Sequence, residues 1–267
     1  MHPNRMIWIS DLHFDLVKEH RIEQLLNEVR QMKPQLVVIT GDISTHARID
    51  RDLSRFADHK IPTYFILGNH DYYMGGFAAT ETIVDELCEA LPNLVRLREG
   101  TVVLLKHGIA LVGIGGWGDG RSGLGNQTPV RMRDSDLIKD LLFLDTDELY
   151  EKLNTLGDAS ARSMAFTLST ALKMADHVYV ATHVPPWEEA CRHNGSPGTP
   201  EYLPHFVNVA LGHAIMEIAK ENPRKQITVL CGHTHDEYSY QAADNITVKV
   251  AGAIYGAPVI AGIFDLK

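Results

Sequence analysis

Apolar residues along the chain follow two alternating patterns. Short, branched, continuous runs stand at 6–9, 36–40, 63–67, 178–181 and 227–230. Runs of this length and kind mark strands buried on both faces. Between them the spacing changes to three and four. Ile22, Leu25, Leu26 and Val29 share one helical face and Pro34 follows them, which predicts a helix over 20–33. Ile49, Leu53, Phe56 and Ala57 repeat the spacing, as do Ile83, Val84, Leu87 and Leu91 before Pro92, and Met164, Leu168, Ala171 and Leu172. Strands and helices alternating in this way imply parallel strands joined by crossovers.

A second rhythm sets in where apolar runs follow one another across short turns, at 94–97, 101–105, 109–114, 246–250 and 258–264. These read as hairpins of a second sheet. The predicted fold class is therefore α/β, a four-layer αββα sandwich of two mixed β-sheets flanked by helices. No Pro/Gly/Ser-rich linker interrupts the chain, which predicts one domain over 1–267. Two Gly-, Pro- and charge-rich stretches, near 115–135 and 185–205, follow strands and read as long loops at the strand ends, where ligands of α/β sheets bind.

Composition changes the picture little. An apolar fraction of 45% suits a globular core, and 34 acidic against 25 basic residues give a charge of −9. That balance supplies no general attraction for nucleic acid or anionic lipid. The three cysteines, Cys88, Cys191 and Cys231, are scattered and odd in number, so neither a disulfide framework nor a thiolate zinc site is indicated, and a reducing cytoplasm fits. The run at 6–9 is too short for a signal peptide, and no run approaches the roughly 18 apolar residues of a membrane span.

The chemistry lies just beyond the first set of runs. There the sequence reads Ser10-Asp11-Leu12-His13, Gly41-Asp42, Gly68-Asn69-His70-Asp71, Thr182-His183 and Gly232-His233-Thr234-His235. Carboxyl ends of parallel strands share one edge, so residues this far apart can converge. A lone His after an apolar run is usually structural and a Gly-Asp pair is usually a turn; five such clusters at strand ends make a metal site the better reading. Carboxylate, imidazole and amide donors suit manganese, iron, zinc or magnesium. Seven candidate ligands, Asp11, His13, Asp42, Asn69, His183, His233 and His235, exceed one tetrahedral ion but suit two ions roughly 3.5 to 4 Å apart, with Asp42 as the bridge. Gly41, Gly68 and Gly232 stand where a backbone without Cβ can approach closely.

In this order, Asp-x-His, Gly-Asp, Gly-Asn-His-Asp, a lone His and Gly-His-Thr-His resemble the calcineurin-like metallophosphoesterase family over nearly the whole chain. The resemblance implies that Asp11, His13, Asp42 and His235 hold one divalent ion and Asp42, Asn69, His183 and His233 the other, manganese being favoured. It implies too that His70 protonates the leaving-group oxygen while Asp71 orients its imidazole. Thr45 and His46 depart from the family pattern three positions beyond the Gly-Asp aspartate; His46 reads equally as a cleft donor or as an exposed residue opening a helix.

The expected activity is hydrolysis of a phosphate ester by a hydroxide shared between two metals, on a small phosphorylated substrate, nucleotides included, with diesters slightly ahead of monoesters. A nucleotide pyrophosphatase, a noncatalytic metal-binding scaffold and a nuclease acting on nucleic-acid ends are the alternatives; the intact Asn69-His70-Asp71 argues against the scaffold, and the sequence shows no basic groove for the nuclease. The remaining signals read more plainly. The glycines between 113 and 125 suggest a flexible loop. Arg121, Arg131 and Arg133 belong with Asp134, Asp136, Asp140, Asp145, Asp147 and Glu148 to a solvated, internally paired face. Trp117 and Trp187 either stack on a base or pack their loops down, and His193, His205 and His213 are surface or pocket-lining residues.

Overall fold

The structure is a computed structural model that describes residues 5–58 and 60–266. In chain order its main elements are β1 (Arg5–Ile9), α1 (Glu19–Met32), β2 (Leu36–Thr40), α2 (Ile49–Ala57), β3 (Thr63–Ile66), α3 (Phe77–Ala90), β4 (Leu94–Arg96), β5 (Val103–Leu104) and β6 (Ile109–Gly113). There follow α4 (Asp134–Leu137), α5 (Thr146–Leu172), β7 (His177–Ala181), β8 (Arg192–His193), β9 (Ser196–Pro197), α6 (Leu203–Phe206), α7 (Val209–Glu221), β10 (Gln226–Cys231), β11 (Tyr238–Ala243), β12 (Ile246–Val250) and β13 (Gly262–Asp265).

Two mixed sheets form, ordered β13-β1-β2-β3-β4 and β11-β12-β10-β7-β6-β5. In the first, β1 to β4 run parallel and β13 pairs antiparallel with β1. In the second, β6, β7, β10 and β12 run parallel, with β5 and β11 antiparallel at the edges. Side chains of a strand alternate between faces, and this alternation builds the layers. Ile7, Ile9, Val37, Ile39 and Phe65 face Ile22, Leu26, Leu53, Phe56 and Val84 of α1 to α3. Met6, Trp8, Leu36, Val38 and Ile66, from the opposite face, meet Leu111, Tyr179, Ala181 and Leu230 of the second sheet. Val178, Val180, Val229 and Val248 pack outward against Met164 and Leu168 of α5 and Leu211 and Ile215 of α7. Helices, sheet, sheet, helices is thus the observed stack.

The strand positions agree with the apolar runs, but three memberships differ. The five doubly buried runs are divided between the sheets, with β7 and β10 in the second. Leu94–Arg96 lies parallel to β3 in the first sheet, and Gly262–Asp265 is that sheet's other edge, so neither is a hairpin of the second. β11 was not anticipated, because an edge strand exposed on one face carries too many polar residues to stand out. The acidic run at 145–148 is exposed and paired within itself, as expected, and the pairing has a structural role: Asp145 and Glu148 close a reciprocal capping box that opens the 27-residue α5. Among the described residues no helix is long and apolar enough to cross a membrane.

Candidate metal centre

All five polar clusters stand at the carboxyl ends of strands: β1, β2 and β3 of the first sheet, β7 and β10 of the second. To turn side chains back over the sheet edge, the chain enters the left-handed region at Asp11 (φ 51°), His13 (43°), Asp42 (52°), His233 (68°) and His235 (59°). A non-glycine residue there costs about 1 to 3 kcal/mol and persists only where its surroundings enforce it. They do so through backbone bonds from Asp11 N–H to Gly41 O (3.1 Å) and from His13 N–H to Asp42 O (2.9 Å). Glycine is required where the turns touch. A Cβ on Gly68 would overlap the Asp42 carboxylate and backbone, and one on Gly232 would overlap Asp11 Oδ2 and Ser10 Oγ.

Donor atoms converge in two groups, Asp11, His13, Asp42 and His235 in one and Asp42, His183 and His233 in the other, each with its atoms within 4.8 Å of one another. Asp42 belongs to both. In the first group His13 Nε2 and His235 Nε2 lie 3.1 Å apart, with Asp42 Oδ2 3.7 Å from the former and Asp11 Oδ1 3.3 Å from the latter. Asp11 Oδ2 is buried with no hydrogen-bond partner among the described residues. Imidazole nitrogens facing each other beside an orphaned carboxylate oxygen form a donor set that a cation completes.

In the second group the backbone selects the tautomers. His183 donates Nδ1–H to Thr40 O (2.8 Å), which turns Nε2 toward Asp42 Oδ1 (3.2 Å) and Asn69 Oδ1 (3.1 Å). His233 donates Nε2–H to His205 O (3.2 Å), which leaves Nδ1 free. Holding one ring nitrogen so that the other faces the ion is how metal-binding histidines are oriented. The charges agree. Burial, reinforced by neighbouring histidines, lowers His13 to about 4 and His233 to about 3, so both rings are neutral. Burial also disfavours a charged His183, but the Asp42 carboxylate outweighs it and raises His183 to about 10.

His70 lies apart from both groups. Its backbone N–H donates to Asp42 Oδ1 (2.9 Å), its ring Nε2 is 4.0 Å from Asp42 Oδ2, and 22% of its side chain is exposed at the cleft. Tyr73 stacks beneath it with ring centroids 4.1 Å apart. Asp71 does not orient it. The Asp71 carboxylate accepts from Ile43 N–H (2.8 Å), Ser44 N–H (2.9 Å) and Gly68 N–H (2.8 Å), so it ties the turn after β3 to the turn after β2. Burial and the adjacent Asp42 push its carboxyl up to about 7 against these donors.

An open cleft of about 340 Å³ runs over Asp42, Asn69 and His70, walled by Met132, His193, Asn194, Phe206 and Tyr255. Both long loops therefore reach the site. Trp117 packs on Tyr72 and Phe77, and Trp187 on the outer core of the second sheet, so both indoles hold their loops down. Arg121 pairs with Asp119 (3.1 Å) and Asp158 (2.8 Å). His46 hydrogen-bonds Thr80 (2.9 Å) rather than facing the cleft. Three contributors had no signal in the sequence. Tyr255 packs on His13 and His235, Phe206 packs on His233, and Asp134 is not part of a solvated face but accepts from Asn69 Nδ2 at 2.7 Å.

The profile of the calcineurin-like phosphoesterase family matches residues 5–237. The chain belongs to this family. Its clustered His and Asp side chains are groups that could hold metal ions. A 74-residue segment is 34% identical to the uncharacterized protein YpbG of Bacillus subtilis, over 26% of this chain and 27% of that protein. A 119-residue segment is 28% identical to the UDP-2,3-diacylglucosamine hydrolase of Blochmanniella floridana, over 40% of this chain and 47% of that enzyme. The matches thus span less than half the length of these relatives. A dimetal phosphatase from Danio rerio has the same fold, with a TM-score of 0.57 at 11% identity over 95% of this chain and 89% of that one.

Proposed function

We propose that this phosphoesterase hydrolyses a phosphodiester with two divalent ions, one held by Asp11, His13, Asp42 and His235 and the other by Asp42, Asn69, His183 and His233. The observation that carries this reading is Asp42, whose two carboxylate oxygens serve two separate donor groups, Oδ1 facing His183 and Oδ2 facing His13. When bound, such ions supply Lewis acidity that offsets phosphate charge and acidifies a water. Carboxylate, imidazole and amide donors without thiolate suit manganese, iron, zinc or magnesium, and manganese is the ion proposed here.

His70 is the proton donor for the leaving-group oxygen. Its ring faces the cleft without joining either donor group and lies beside their shared Asp42, with Nε2 4.0 Å from Asp42 Oδ2, and Tyr73 below and His13 at its edge (4.6 Å between centroids) fix its plane. A positioned general acid of this kind contributes about 10²- to 10⁴-fold. The diester preference rests on the open cleft, whose Met132, Phe206 and Tyr255 walls suit a substituent on each side of the phosphate. The hydrolase relative, named for a UDP-linked sugar, supports a nucleotide-bearing substrate. Three free cysteines, one of them half-buried, support a cytoplasmic setting.

Initial rates with a chromogenic phosphodiester and the matching monoester, using metal-stripped protein with and without manganese, test this reading beside a His70→Ala control. Manganese-dependent diester turnover that the control lacks is the expected result. Faster monoester turnover reverses the substrate preference, and equal rates for the control remove His70 from the chemistry.

A further inference from the structure

The glycine-rich loop after β6 ends at α4, whose first residue is Asp134. From there the side chain reaches back across 65 positions to Asn69. An asparagine amide has two unlike ends, a carbonyl that accepts and an NH₂ that donates. Only the carbonyl end can serve a cation. A carboxylate accepts and does not donate, so Asp134 Oδ1, 2.7 Å from Asn69 Nδ2, selects one of the two amide orientations. In that orientation Asn69 Oδ1 lies 3.1 Å from His183 Nε2, within the Asp42, His183 and His233 group. The reversed amide would aim its NH₂ at the same point.

Asp134 is itself held in place. Its neighbour Ser135 bonds back to Met132 O (2.8 Å) and Met74 N–H donates to Leu137 O (2.8 Å), which docks α4 onto the turn after His70. Farther back, Asp119 bonds Ala210 N–H (2.9 Å) at the start of α7, and its own N–H donates to Val207 O (3.0 Å). The loop is thus anchored at both ends, with Asp134 directed into the site.

We propose that Asp134 is a positioning residue that orients the Asn69 amide oxygen toward the Asp42, His183 and His233 group, so that the loop between β6 and α4 controls metal occupancy there. The proposal rests on Asn69 being a ligand of that ion.

Calorimetric manganese titration of metal-stripped protein, with electron paramagnetic resonance of the loaded protein as a second readout, decides it. Asp134→Ala is expected to weaken one of two manganese sites about 10- to 100-fold and to leave the other as in wild type. Asp134→Asn keeps a carbonyl that can accept from Asn69 Nδ2 and is expected to recover most of the loss. Since Asp134 acts through Asn69, the double variant Asp134→Ala/Asn69→Ala is expected to bind no more weakly than Asn69→Ala alone. Should Asp134→Ala fail to fold, Asp134→Leu, near in volume and without a polar atom, replaces it in the same cycle. Wild-type titration of the variant lacking the carboxylate, or a further loss in the double variant, overturns the positioning role. If Asn69→Ala itself retains both affinities, the ligand reading of Asn69 has failed instead.

Discussion

Asp71 Oδ2 accepts the N–H of Gly68, three residues earlier in the chain, at 2.8 Å. With Oδ1 occupied by Ile43 and Ser44, the side chain joins the ends of two strands rather than steering the histidine beside it. Asp71→Ala therefore strands three buried backbone donors, each costing about 1 to 3 kcal/mol. Urea denaturation of the metal-free variant should show a loss of about 3 kcal/mol or more. A transition at the wild-type midpoint would remove Asp71 from the scaffold.

His70→Ala has the opposite profile. Turnover should fall by about 10²- to 10⁴-fold while both manganese affinities and the urea midpoint stay near wild type, because the ring joins neither donor group. A variant that loses metal along with rate would make His70 a ligand.

Gly232→Ala places a methyl group against Asp11 Oδ2 and Ser10 Oγ. Overpacking of this kind costs about 1 to 3 kcal/mol, and here the atom displaced is a candidate ligand, so weaker manganese binding should accompany a lower melting temperature. Gly195 is the control. Its φ of +75° strains an alanine, but nothing lies within 4 Å of the added Cβ, so Gly195→Ala should lower the melting temperature and leave the metal titration unchanged. Equal metal binding by both variants would refute the cradle.

Metal affinity should depend on pH through His183. The Asp42 carboxylate raises this histidine from 6.5 to about 10 in the metal-free protein, so it carries a proton at pH 8 that a ligating Nε2 must lose. Apparent manganese affinity should climb by up to about tenfold per unit between pH 7 and pH 9, and loading in weak buffer should release about one proton from this ring. For metal-free stability the sign is reversed: a raised histidine pKa stabilises fully below pH 6.5 and the benefit fades as pH rises toward 10. Affinity that is flat from pH 7 to pH 9 would show that His183 is already bare.

The distance at which the sequence could be read depended on how local each signal was. Buried strands and amphipathic helices are written in runs of a few residues, so β1, β2, β3, β7 and β10 and the helical faces beginning at Ile22 and Ile49 were legible. Sheet membership is not local. Nothing in Leu94–Arg96 distinguishes pairing with β3 from pairing with β6, and Gly262–Asp265 finds β1 more than 250 positions away. In the site, residues next to strand ends declared themselves through Gly-Asp and Gly-His-Thr-His. Asp134 did not, because one aspartate in an acidic stretch looks solvated until α4 carries it beneath Asn69. Asp71 misled for the converse reason: adjacency in sequence suggested contact with His70, whereas the turn at His70–Tyr72 directs the two side chains to different partners.

The donors come from both halves of the sandwich, with Asp11, His13, Asp42 and Asn69 at the rim of one sheet and His183, His233 and His235 at the rim of the other. Neither half alone assembles either group, so the centre is also a gauge of alignment: a slip of one residue, about 3.3 Å along a strand, exceeds the spacing of most donor pairs and would dissolve the constellation before any helix unwound. Cations seated across this seam would clasp the two halves together. A chelator would then do more than silence the enzyme, since it would unfasten the apolar interface of Trp8, Val38 and Leu230 from its catalytic end.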